Sequence, residues 1–191
     1  MRKVSSSRYE QLRQIAADLI EDYEIVYPFD PYALAEKLHA EVIYYSESQL
    51  LRVIGMEALI CDGGFSARFT NAGMQTYKIA VDEMHSSARQ KFTVTHELAH
   101  IVLEHHGDSR DHEKLEQEAN FFASYMLMPE IIGIRLFSAG DQEAVQEYCG
   151  VSAECAGLIT QRIERRRAGS TAPRNSYEQQ ILAHFQSAAP F

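Results

Sequence analysis

Two histidines four residues apart, with a glutamate directly after the first, stand in the stretch Phe92-Thr93-Val94-Thr95-His96-Glu97-Leu98-Ala99-His100-Ile101-Val102-Leu103. On an α-helix each residue advances about 100°, so His96 and His100 lie about 40° apart, one turn along the same face. Two imidazoles placed this way can reach one metal ion. Glu97 is turned about 100° from His96, off the histidines' row but close enough to meet a water beside the metal. Val94, Leu98, Ile101 and Val102 fall on the far side, so one face can be buried while the other holds a cation. This is the H-E-x-x-H pattern of zinc-dependent peptide hydrolysis. Neutral imidazoles bind Zn²⁺, a position stays open for water, and a carboxylate accepts the water's proton.

A catalytic zinc site needs a third protein ligand. Residues 113–123, Glu113-Lys114-Leu115-Glu116-Gln117-Glu118-Ala119-Asn120-Phe121-Phe122-Ala123, offer three glutamates. Glu116 and Asn120 are four apart on one helix face, so a liganding Glu116 places an amide beside it to hold a histidine. Glu118 is turned about 200° from Glu116, and the two cannot both face the metal. Glu116 is therefore the expected ligand, with Glu118 and then Glu113 as alternatives; the two not used are expected on a solvated face. Oxyanion stabilisation needs a further donor. Tyr125, His105, His106 and His85 are available, and spacing does not choose among them.

These residues need elements to hold them. Ser86 or Ser87 can cap a helix running to His106 without Pro or Gly, and a second helix spans His112 to Leu127, ended by Met128-Pro129. Upstream, apolar spacing predicts a helix over 7–26, and Asp30-Pro31 starts a short one to about His39. Glu41 to Tyr45, Val53 to Cys61, Phe65 to Thr70 and Tyr77 to Asp82 read as strands, with turns at Asp62-Gly63-Gly64 and Asn71-Ala72-Gly73. Together they predict an α+β fold, with a small, mainly antiparallel sheet packed on the H-E-x-x-H helix. Downstream, Gly107 to Asp111 reads as a polar loop. Pro129 opens another helix, and two short helices surround Gly150. Three segments result: a metallopeptidase domain at 1–140, a helical segment at 141–167, and a weakly ordered tail at 168–191.

Composition narrows the function classes. The 191 residues are 46% hydrophobic and carry a net charge of −9, which suits a packed core and disfavours general nucleic-acid or anionic-membrane binding. Nowhere do 18 apolar residues run together, so no membrane span is expected. Cys61, Cys149 and Cys155 form no CxxC pair and read as free thiols in a reducing cytoplasm. Arg162, Arg165, Arg166, Arg167 and Arg174 form a basic cluster at the end of a helix, expected to be a solvated helix end leading into the tail.

The chain resembles the ImmA/IrrE-type zinc metallopeptidases. The resemblance is carried by residues 89–100 (Arg89-Gln90-Lys91-Phe92-Thr93-Val94-Thr95-His96-Glu97-Leu98-Ala99-His100), by 116–123, and by Met126-Leu127-Met128-Pro129. Weaker likeness extends to Asp30 through Leu38 and to Tyr148-Cys149-Gly150-Val151-Ser152. The tail past Arg167 has no counterpart. The resemblance implies a zincin-like fold, zinc held by His96, His100 and Glu116, and Glu97 as general base. It also implies a helix-turn-helix transcriptional repressor as the protein substrate. Two rivals remain: a non-proteolytic module that controls a repressor by contact, and a DNA-binding element in the last 50 residues. An intact Glu97 favours the enzyme over the first, and the acidic balance weighs against the second.

Overall fold

The computed structural model describes residues 4–47, 64–71, 74–106 and 111–188. The strand expected at Val53 to Cys61, the turn residues Asp62-Gly63 and Ala72-Gly73, and most of the loop after His106 lie outside them. The chain opens with α1 (Ser6–Asp22), capped by the Ser5 hydroxyl, which accepts from the Arg8 amide. Asp30 caps α2 (Pro31–Lys37) as its spacing to Pro31 predicts, accepting from the Tyr32 and Ala33 amides. Strand β1 (Ala40–Tyr44) follows, then a 3₁₀ turn at Tyr45–Glu47.

Strands β2 (Gly64–Asn71) and β3 (Met74–Val81) pair antiparallel as a hairpin, and β1 joins the other side of β3 in parallel. Among the described residues the sheet has the order β1-β3-β2 and is mixed, which corrects the expectation of a mainly antiparallel sheet. The reason is non-local. Only two residues of sequence separate β2 from β3, which favours their pairing, and β3's remaining edge goes to a strand more than thirty residues earlier. Nothing in the composition of β1 signals that pairing direction.

Helix α3 (Ser87–Val102) carries the H-E-x-x-H residues and is capped by Ser86, whose hydroxyl accepts from the Arg89 amide. It ends one turn earlier than the Pro- and Gly-free run suggests. Glu104 adopts φ 55°, its amide donates to the Ile101 carbonyl, and the His105 amide donates back to the His100 carbonyl at 2.9 Å. This is a Schellman closure with a glutamate in the left-handed position that glycine usually fills. It folds His105 back under His100.

Next come α4 (His112–Leu127), with the bounds its pattern predicts, and α5 (Glu130–Leu136). Helix α6 (Gln142–Cys149) stops at Gly150, left-handed at φ 63°, and α7 (Ala153–Gly169) starts from the cap Ser152. Residues 176–188, expected to be weakly ordered, form α8 (Ser176–Ala188), with Tyr177, Glu178, Ile181 and Leu182 buried. One contiguous core runs from Leu12 on α1 through Ile79, Leu98 and Phe122 to Ile159, Ile181 and Leu182. The C-terminal helices therefore share the core of the metal-site helices. Among the described residues no helix is long and apolar enough to cross a membrane.

The arginine cluster is also not simply a solvated helix end. Arg166 on α7 holds Glu178 on α8 through two bonds of 2.7 and 2.8 Å, both side chains nearly buried. Burial raises the Glu178 carboxyl's pKa, but the Arg166 guanidinium and the Arg174 amide lower it more, and the net direction is down. A depressed acid stabilises the fold fully above its unfolded value and loses that contribution as pH falls through its folded value. Acid should therefore loosen α8 below about pH 4.5. Glu178→Gln is expected to flatten stability over that window, and Glu178→Ala to cost roughly 3 kcal/mol at neutral pH. Urea denaturation at pH 3.5 and 7 reads both effects.

Candidate metal centre

Helices α3 and α4 pack side by side, and the geometry between them selects among the three glutamates. His96 Nε2 and His100 Nε2 lie 3.0 Å apart, and each is 3.2 Å from an oxygen of Glu116. His96, His100 and Glu116 thus present one ligand atom each, all within 4.8 Å of one another. The donor set fits a divalent cation. Ligands about 2.0–2.2 Å from a tetrahedral zinc sit about 3.4 Å from each other, close to the spacings observed. Two neutral imidazoles aiming acceptor nitrogens at each other also need a proton or a cation between them. Glu118 is buried on the other side of α4, and Glu113 is exposed in its first turn.

The same convergence sets the electrostatics. Hydrogen bonds from His100 and His96 hold the Glu116 carboxyl far below the usual carboxylate range. Burial presses the His96 pKa down, but its bond to Glu116, the charge of Glu97 and the Asn120 amide outweigh this, so the net direction is up. The cluster keeps its carboxylate charged and ready to bind a cation.

Support for His100 comes from residues that sequence spacing assigned elsewhere. Its Nδ1 lies 3.0 Å from His105 Nδ1, His105 Nε2 is 3.4 Å from Glu118 Oε2, and Arg8 Nη2 is 2.7 Å from that same oxygen. With His100 presenting Nε2 to the cleft, its Nδ1–H donates to His105, whose own proton then sits on Nε2 facing Glu118. Glu118 is thus a buried anchor and not a residue of a solvated face. His105 and Glu118 have side-chain exposures of 2% and 4%. Glu118→Ala should cost about 3–5 kcal/mol of stability and weaken metal binding roughly 10–100-fold. Thermal denaturation and a competitive chelator titration check the two. Unchanged metal affinity would show that the relay does not orient His100.

Strand β2 supplies the other support. Ser66 Oγ donates to Glu97 Oε2 at 2.6 Å and lies 3.1 Å from His106 Nε2. Burial and the neighbouring His100 push the His106 pKa down, so a neutral ring donates to Ser66 while Ser66 donates to Glu97. Strand and helix approach closely here: a Cβ on Gly64 would come within 2.2 Å of Thr93 Cγ2. Only glycine permits that contact. Nothing in the local sequence around Ser66 marks it as a functional residue.

A cleft of about 460 Å³ opens over this cluster, lined among others by Ser66, Phe92, His96, Glu97, Glu116 and Asn120. Of the other donors considered from sequence, His105 and His106 also line it. His85 pairs instead with Asp82 at 3.6 Å, and Tyr125 is buried in the core. Sequence reasoning missed Arg89 and His112, which also line the cleft.

An H-E-x-x-H helix completed by a glutamate from the next helix is a metallopeptidase-type arrangement. The family model described as "Peptidase_M78: IrrE N-terminal-like domain" matches residues 63–158, half of the chain. The chain belongs to that metallopeptidase family. No curated protein matches it.

Proposed function

We propose that the protein is a zinc-dependent endopeptidase, with His96, His100 and Glu116 holding the metal and Glu97 acting as general base. The observation that carries this reading is the placement of Glu97: it stands beside the cluster, outside the ligand set, fixed through Oε2 by Ser66. A purely structural zinc site needs no such carboxylate and is usually closed by a fourth protein ligand. Zinc bound there supplies Lewis-acid polarisation of the scissile carbonyl and acidifies a water.

The chain's own residues do the rest. Ser66 occupies Glu97 Oε2, so proton acceptance from the attacking water falls to Oε1. Glu97 then gives that proton to the leaving amine. His106, kept neutral, holds Ser66 in the donating orientation. Phe92 and Leu115 add apolar surface to the walls of the cleft.

The substrate is proposed to be a helix-turn-helix transcriptional repressor, cut where an extended segment can enter the cleft. Support comes from the family resemblance and from the net charge of −9, which favours a basic, DNA-binding partner in a salt-sensitive way. The buried free thiols Cys149 and Cys155, pushed by burial up to about 12 and about 11, suit a reducing, cytoplasmic setting. Co-expression with a candidate repressor, followed by intact mass of the repressor, tests the assignment. Wild type should give two fragments and Glu97→Gln none. Relief of repression by both proteins without fragments would favour a contact-only regulator.

A further inference from the structure

Next to the metal cleft lies a second groove of about 630 Å³. Asn120 lines both, so the two lie on either side of one residue of α4. Five arginines line it: Arg13, Arg162, Arg165, Arg166 and Arg174. They face three carboxylates. Glu178 takes Arg166, Glu130 lies 3.4 Å from Arg162 and 3.8 Å from Arg13, and Glu10 lies 3.0 Å from Arg13. Among the described residues neither Arg165 nor Arg174 forms a direct ion pair with a carboxylate, although the Arg174 charge acts on Glu178 from beyond contact distance, and Arg162 Nε is buried without a hydrogen-bond acceptor. In a chain of net charge −9, this groove carries two surplus positive charges.

Helix α4 sets the distance from the metal cluster. Glu116, Asn120 and Ser124 stand on successive turns of one face, and Asn120 and Ser124 line the groove. Eight residues of helix advance about 12 Å, which an extended peptide covers in three to four residues. The exposed side chain of Leu158 adds an apolar contact at the same groove.

We propose that this groove binds acidic side chains of the polypeptide, three to four residues to one side of the scissile bond, through Arg165 and Arg174. The proposal rests on the peptidase reading and refines its substrate class. The requirement falls on the segment in the groove and not on the partner as a whole.

The probe is a fluorescein-labelled decapeptide of Gly and Ser with three Glu, compared with Gln and Lys versions, titrated against the full zinc-loaded Glu97→Gln chain at low salt. Anisotropy should show the Glu peptide bound roughly tenfold tighter than the Gln peptide. Arg165→Glu with Arg174→Glu should reverse the preference toward the Lys peptide, and Arg165→Glu alone should halve it or more. Equal binding of Glu and Gln peptides, or a preference untouched by the reversal, overturns the proposal. Displacement by inorganic phosphate as effective as by unlabelled Glu peptide would make it a small-anion site instead. Because this assay reads no cleavage, failure of the peptidase reading leaves the charge preference standing, and a lost preference leaves hydrolysis standing.

Discussion

Glu97→Gln is expected to reduce peptide hydrolysis roughly 10²–10⁴-fold while leaving fold and zinc content intact. The amide keeps the size of the side chain and can still accept from Ser66, so the wall of β2 against α3 is preserved. What is lost is a basic oxygen at neutral pH. Because the oxygens of Glu116, not Glu97, converge on the two imidazoles, zinc stoichiometry should not move. Ser66→Ala is the companion variant. It frees Glu97 without removing it and should give a smaller loss, with zinc again retained. Steady-state hydrolysis of a quenched peptide together with metal analysis separates the two variants. A Glu97→Gln protein that loses its zinc would place this carboxylate among the ligands.

Glu116→Ala is expected to have the largest effect on metal binding among the carboxylates. Apparent zinc binding free energies of about 10–16 kcal/mol spread over the ligands imply a loss of roughly 3–5 kcal/mol, or about 10²–10⁴-fold in affinity, when one ligand is removed. His96→Ala or His100→Ala should do the same or more. Glu113→Ala should change nothing, since Glu113 is exposed in the first turn of α4. Isothermal titration with zinc, backed by native mass spectrometry, orders the series. If Glu118→Ala lost more affinity than Glu116→Ala, the relay residue and the ligand would have to exchange places.

The parts of the centre that were legible in the sequence are those set within one helix. The i, i+4 spacing of His96 and His100, the offset of Glu97, and the Glu116–Asn120 pairing all follow from 3.6 residues per turn. The caps Ser86 and Asp30 were equally local. What escaped depends on residues far apart in the chain. Ser66 reaches Glu97 because a hairpin is packed on α3 at Gly64. Glu118 meets Arg8 across 110 residues. His105 turns under His100 through a left-handed Glu104, a position where a glycine would have announced the turn. Helix α8 was hidden by its Ala-, Ser- and Pro-rich surroundings. Yet Tyr177, Ile181, Leu182 and Phe185 recur at helical spacing behind Ser176, a signal that composition obscured.

The central claim is that this chain, holding zinc on His96, His100 and Glu116, cuts polypeptides. The most direct measurement is incubation of the zinc-loaded protein with a proteome-derived peptide library, followed by mass-spectrometric identification of new termini. Wild type should generate termini that disappear after chelation, return with zinc, and are absent with Glu97→Gln. A protein that binds one zinc per chain and yields no termini beyond the chelated control would contradict the claim.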